Sequence, residues 1–376
     1  MNTFNRSLTL VFCLCLTSYA SAQAVDPYQP DFSSPATVSG MKLVWNDEFN
    51  TDGVPNTANW KPETGFVRNQ ELEYYQLSNA TCKNGVLLIT GKRDTVVNAK
   101  YVRGSTDWRY KDSLAYWTSA SMITQGLKSF QYGRIDVRAR IDTTYGAWPA
   151  IWQKGVTGSW PACGETDIME FYNKKIYANV IYGAIGSANY SKCIYKSFAA
   201  VAGSDANWVQ KFHLWTEIWT ADSIKLYLDG MLMNSVLVNN IANPAGTTPA
   251  NGFLQPHFFQ LNLAIGSNGG TPRNSTSQIT YEVDYIRVYQ ASSTGFVSPS
   301  VDPVQLAPNP AADKIGLISE QKPSMLLIRD LTGRSILRLS HPESVIDVSS
   351  FPPGNYIVQL YFPDRPAVSL KMIKLR

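Results

Sequence analysis

The stretch YGRIDVRARID, Tyr132 to Asp142, decides the fold class. Ile135, Val137, Ala139 and Ile141 alternate there with Arg134, Asp136, Arg138 and Arg140. A repeat of two marks a strand with one face on a core and the other in water. The same period returns in SIKLYLDG, where Ile224, Leu226 and Leu228 alternate with Lys225, Tyr227 and Asp229 before an Asp229-Gly230 turn. GVLLITGKRD from Gly85 and YEVDYIRVYQ from Tyr281 also read as strands. No long window shows the helical period. Many short strands punctuated by Gly, Pro, Asn and Asp predict an all-β fold, a sandwich or barrel.

Outward from this core pattern, the two ends read differently. Residues 1–22 have the parts of a signal peptide: Arg6, an apolar run from Leu8 to Leu16, and the small-residue signal Ala20-Ser21-Ala22. That run is too short to span a bilayer, so an exported, soluble protein is expected. Cys13 and Cys15 leave with the leader, and Cys82, Cys163 and Cys193 permit at most one disulfide, its pairing open. His213, His257 and His341 are scattered, with no Cys–His spacing of a zinc site. The tract ASSTGFVSPSVDP reads as a linker over 291–303, separating a main domain, 23–290, from a second β pattern over 304–376. That second length suffices for a small β-sandwich.

The formal charge of +4 is placed unevenly. Arg6 and a surplus of three in 304–376 account for it, so 23–303 is neutral. A neutral main domain has no field to gather nucleic acid, and none is expected as a partner. Ten Trp and twenty Tyr supply core material and also flat rings suited to the apolar faces of sugars.

The chemistry is carried by GETDIMEF, Gly164 to Phe171. Side chains two apart on a strand share a face, which pairs Glu165 with Asp167. Strict alternation would bury Glu170, and burying a lone carboxylate is costly. A β-bulge at Ile168-Met169 adds one residue and returns Glu170 to the face of the other two. The two Glu are then about 13 Å apart at Cα, and side chains of ~4 Å leaning together bring the carboxyls to ~5–6 Å. Retaining glycosidases need ~5–5.5 Å. Three like charges on one face cannot all ionise freely, so at least one pKa rises, which suits a general acid. Glu165 is the expected nucleophile, Glu170 the acid/base, and Asp167 the neighbour that tunes Glu165. Trp148, Trp152 and Trp160 precede these acids closely, as the walls of a sugar cleft would.

At these residues the chain resembles glycoside hydrolase family 16, in its laminarinase-like branch with the bulged E-x-D-x-x-E. The resemblance covers roughly 41–290 and rests on LVWNDEF (43–49), FVRNQELEYYQ (66–76), YGRIDVRARI, GAWPAIW, WPACGETDIMEF, HLWTEIWTADSIKLYLDG, LNLAIG (261–266) and VDYIRVYQ. It implies a β-jelly-roll sandwich with a concave cleft, and retaining, endo-acting cleavage of a β-1,3- or mixed β-1,3/1,4-glucan. It implies the same roles for the three acids, and adds Arg68, Asn69, Trp148, Trp160 and Asn262 as substrate contacts. No cofactor is required. A structural calcium is implied at Glu48, the backbone of Gly85 and Asp284, since oxygen ligands suit calcium. Two departures stand out. Thr166 replaces the more usual Ile, facing the core, with little effect expected. Ile181 stands where many relatives have His, which opens the linkage preference. An algal galactan hydrolase and a non-catalytic glycan-binding protein remain as alternatives. There is no G-x-S-x-G elbow for a serine hydrolase.

The 304–376 segment, with LAPNPAADKIGL, IRDLTGRSIL and VIDVSSFPPGNYIVQL, resembles the sorting domain of the type IX secretion system. This implies the secretion machinery as a partner and a secreted or cell-surface location. A monomer is expected.

Overall fold

A computed structural model describes residues 25–184, 190–292, 304–319, 321–330, 334–362 and 368–375. The expected signal peptide and residues 293–303 of the expected linker lie outside them. The chain divides into two compact units between Ser292 and Ser293. The last strand of the first unit, Gln278–Ala291, runs one residue beyond the expected boundary at 290.

The first unit is built on two mostly antiparallel sheets packed face to face, as β-patterned sequence with two apolar faces requires. One has seven strands, in the order Tyr190–Ser197, Lys175–Tyr182, Glu165–Tyr172, Ala147–Gly155, His257–Ile265, Ser121–Ile123 and Lys61–Pro62. The other has ten, with Gly133–Ile141 between His213–Trp219 and Gln278–Ala291 at its centre. Ile151, Ile168, Met169 and Leu261 from the smaller sheet meet Val137, Leu226 and Ile286 from the larger in one core. The short helix Phe198–Ala202 is the α-helix among the described residues. None of their helices is long and apolar enough to cross a membrane.

The strand that opened the sequence reading departs from it on one face. Ile135, Val137, Ala139 and Ile141 are buried as expected, but Asp136 and Arg138 are buried too. The N-terminal segment covers Arg138, which donates to the carbonyls of Asp26 (2.7 Å) and Gln29 (2.9 Å) and pairs with Asp284, while Asp136 accepts from Thr216 Oγ1 at 2.6 Å and pairs with Arg134. Polar residues at period two here mark a paired, covered face rather than a wet one.

The second unit has sheets of three and four strands around Ile315, Leu326, Ile328, Ile346, Val358, Leu360 and Met372. Its aromatics Phe351, Tyr356 and Phe362 are buried in that core.

Candidate active site

The acid strand, Glu165–Tyr172, carries the expected bulge. Against Lys175–Tyr182, Asp167 faces Asn179 and Glu170 faces Tyr177, so Ile168 and Met169 oppose the single residue Ala178. Against Ala147–Gly155, Met169 faces Ile151 and Asp167 faces Trp152, leaving Ile168 as the extra residue. Both Ile168 and Met169 turn into the core, and Glu165, Asp167 and Glu170 share the outer face.

These acids open into one cavity of about 250 Å³. The structure places all nine residues expected to act in catalysis or substrate binding around it: the three acids, Arg68, Asn69, Trp148, Trp152, Trp160 and Asn262. Alternation along Ala147–Gly155 brings Trp148, Ala150, Trp152 and Lys154 to the same wall.

The indole N–H of Trp148 donates to Glu170 Oε1 at 2.8 Å, and that of Trp160 to Glu165 Oε2 at 3.1 Å. Asn179 Nδ2 donates both to Asp167 Oδ2 (3.0 Å) and to Glu170 Oε2 (3.1 Å). Asp167 also lies beside the carboxyls of Glu170 and Glu165. One short carboxylate thus sits beside the two longer ones.

Burial raises the pKa of all three, and pushes Asp167 up to about 6. For both Glu the next cause is the charge of Asp167. The opposing influences differ. Lys154, the Trp160 N–H and Arg68 favour ionised Glu165. Glu170 is helped by the Trp148 N–H, while Glu165 adds a second repelling charge. The surroundings therefore favour the anion more at Glu165 than at Glu170.

Three contributors were not legible. Lys154 faces Glu165 across the strand pair, and its position two residues past Trp152 is the sequence signal for it. Asn179 is set by register, which the sequence does not display. Glu71, inside a stretch already singled out, accepts from Asn69 Nδ2 (3.2 Å) and the Tyr75 hydroxyl (3.3 Å). Asn262 holds the wall in place: its Oδ1 accepts from Trp152 Nε1 at 2.7 Å and its Nδ2 donates to Tyr75 Oη at 3.1 Å. Arg68 pairs with Glu63 and lies over the rings of Trp152 (5.3 Å) and Tyr75 (5.6 Å).

The two carboxylates implied for calcium are engaged otherwise. Arg287 grips both oxygens of Glu48, Nε to Oε1 at 2.9 Å and Nη2 to Oε2 at 2.7 Å. Asp284 pairs with Arg138 and accepts the Asp31 N–H at 3.2 and 3.1 Å. Gly85 packs so closely on the Phe32 ring that a Cβ would lie 2.6 Å from it. Guanidinium groups already answer both negative charges, so these residues as they stand do not fit a calcium ion. Cys82, Cys163 and Cys193 are all free thiols.

Thr166 is fully buried, as expected of a core-facing residue. Its surroundings are polar: the Glu217 carboxyl lies beside it and accepts from Gln153 Nε2 at 2.6 Å.

Residues 91–287 match the family described as Glycosyl hydrolases family 16. The chain belongs to that family. A glucan endo-1,3-beta-glucosidase A1 of Niallia circulans is 30% identical over 276 residues, which are 67% of this chain but 38% of that relative. The laminarinase catalytic domain of Thermotoga petrophila RKU-1 superposes with a TM-score of 0.56 at 30% identity, covering 68% of this chain and all of that one. A structure from work on endo-acting O-glycanases of human gut microbiota that initiate mucin breakdown gives 0.62 at 29% identity, covering 69% of this chain and 94% of that one. The laminarinase fold is a jelly roll, like the two-sheet unit here. Residues 305–374 match a secretion system C-terminal sorting domain.

Proposed function

We propose that this chain is a retaining, endo-acting hydrolase of β-1,3- or mixed β-1,3/1,4-glucan. The observation that carries the proposal is the bulged strand, which sets Glu165, Asp167 and Glu170 side by side in one tryptophan-walled cavity. Glu165 attacks the anomeric carbon while Glu170 gives its proton to the departing glycosidic oxygen. The bond to the leaving sugar breaks and a glycosyl ester forms on Glu165. Glu170, now a carboxylate, takes a proton from water, whose oxygen displaces Glu165 from the same carbon. Two inversions give net retention. Asp167 and Asn179 position both acids through both steps.

Glu165→Gln is expected to abolish release of reducing sugar while leaving glucan binding in affinity electrophoresis largely intact. Near-normal turnover by that variant would sink the assignment. The anomeric configuration of the first product, read by proton NMR, tests retention.

A second reading, cleavage of a galactan-type glycan, draws on Ile181, which faces Glu165 across the strand pair, and on the likeness to the O-glycanase structure. Product analysis on laminarin, lichenan, agarose, porphyran and carrageenan separates the two, and activity on galactans alone would replace the glucan reading.

The sorting domain supports export across the outer membrane by the type IX machinery, with removal of residues beyond the linker. Removing 304–376 should trap the enzyme inside the cell, and the mature secreted enzyme should lack this segment by mass. A monomer is proposed, with light scattering as its check.

A further inference from the structure

We propose that Tyr195, backed by the buried Tyr177 and by Tyr172, forms the platform for the sugar on the leaving-group side of the cut, and so the acceptor site of the cleft. The proposal rests on the glycanase reading above.

Register puts these residues in one row. Glu170 faces Tyr177, and Tyr177 faces Tyr195, so all three lie at one level on the outer face of the sheet. The rings connect: Trp148 to Tyr172 at 5.2 Å, Tyr172 stacked on Tyr177 at 4.1 Å and 14°, and Tyr177 to Tyr195 at 5.4 Å. The row therefore starts at the indole that bonds Glu170 and ends on the last strand of the sheet. Tyr195 is 52% exposed there. Lys175 Nζ, 4.0 Å from its ring centroid, steadies it. The core takes nothing from a ring so placed, whereas a pyranose face can cover it.

The two sides of the acid strand differ in kind. One side holds the cavity, with Arg68, Asn69, Glu71 and Asn262 as fixed hydrogen-bonding groups. Fixed polar groups suit the sugar that must be distorted and held through a covalent intermediate. The tyrosine side offers rings in a row, which suit a sugar that slides in, departs and is replaced. A sugar resting on Tyr195 competes with water. Its hydroxyl oxygen attacks the anomeric carbon, its proton passes to Glu170, and the ester bond to Glu165 breaks, leaving a longer glycan and a free carboxylate.

The experiment compares the full chain with Tyr195→Ala and Tyr195→Phe on two substrates: laminarin, and an aryl β-glycoside of laminaribiose, whose leaving group needs no sugar on this side. Tyr195→Ala should lower kcat/KM on laminarin about fivefold, leave the aryl glycoside unchanged, and reduce transfer to added laminaritriose. Tyr195→Phe should match wild type throughout. Unchanged kinetics on laminarin, or equal losses on both substrates, would overturn the platform. Should the wild type cleave neither, the glucan reading fails by itself. Laminarin binding to Glu165→Gln, with and without Tyr195→Ala, then decides the platform: weaker binding in the double variant supports it, and equal binding overturns it.

Discussion

Glu217 sits between the two sheets, fully buried, and among the described residues no cation pairs with it. Burial pushes its pKa up from 4.5 to about 8, with the Thr166 hydroxyl opposing. A pKa raised by folding gives stability that is complete below the unfolded value and fades as pH climbs toward the folded value. The window is therefore pH 4.5 to 8. Between pH 5 and 7.5 the unfolded chain releases this proton and the native one keeps it. One pH unit corresponds to about 1.4 kcal/mol, so the native state should lose on the order of 3 kcal/mol across that interval from this group alone. Glu217→Gln removes the titration, keeps the shape, and still offers an oxygen to Gln153. The variant should thus gain about 3 kcal/mol over wild type on going from pH 5 to pH 7.5. All ten tryptophans lie between Trp45 and Trp219. Tryptophan fluorescence in urea therefore follows this unit without a contribution from the second one. A stability difference between variant and wild type that is the same at both pH values would refute the argument.

Lys154→Met should move the acid limb of the kcat/KM profile to higher pH, because Glu165 loses a cation that favours its charge; Lys154→Arg should restore the wild-type limb. Glu170→Gln should slow hydrolysis of laminarin by ~10²–10⁴ and erase the alkaline limb, while an aryl glycoside whose leaving group needs no proton keeps its fast burst of aryl release and then turns over slowly, since the second step lacks its base; an intact alkaline limb would count against Glu170 as the acid. Arg287→Met should destabilise the first unit by about 3 kcal/mol in the same urea assay, since it leaves Glu48 without its partner. Chelators and added calcium should not move the wild-type unfolding midpoint, and a rise with calcium would show that the arginines yield to the ion.

The acid strand was legible because a carboxylate cannot be hidden cheaply. Glu170 at an odd offset from Asp167 admitted one inexpensive solution, a bulge at Ile168-Met169, and the register contains it. Strand faces were legible where apolar residues alternate, as from Ile135 to Ile141. What stayed hidden depends on partners distant in sequence. Arg138 looked solvated because the segment that covers it, near Asp26 and Gln29, is over a hundred residues away. Glu48 and Asp284 looked like cation ligands because their arginines, Arg287 and Arg138, sit on strands whose register the sequence does not announce. Thr166 seemed a neutral exchange until Glu217 and Gln153 appeared beside it.

The doubled position at Ile168 and Met169 also gives the strand a spare length. Take one of the two away, and Glu165, Asp167 and the second Glu fall into ordinary alternation, still on one face, with Phe171 still pointing inward. Add one, and ordinary alternation still returns the proposed general acid to the same face, but two positions further along, opposite Lys175 instead of Tyr177. Shortening by a residue at this point should therefore be survivable for the catalytic face in a way that lengthening is not, and that asymmetry belongs to this pair of positions rather than to the strand as a whole.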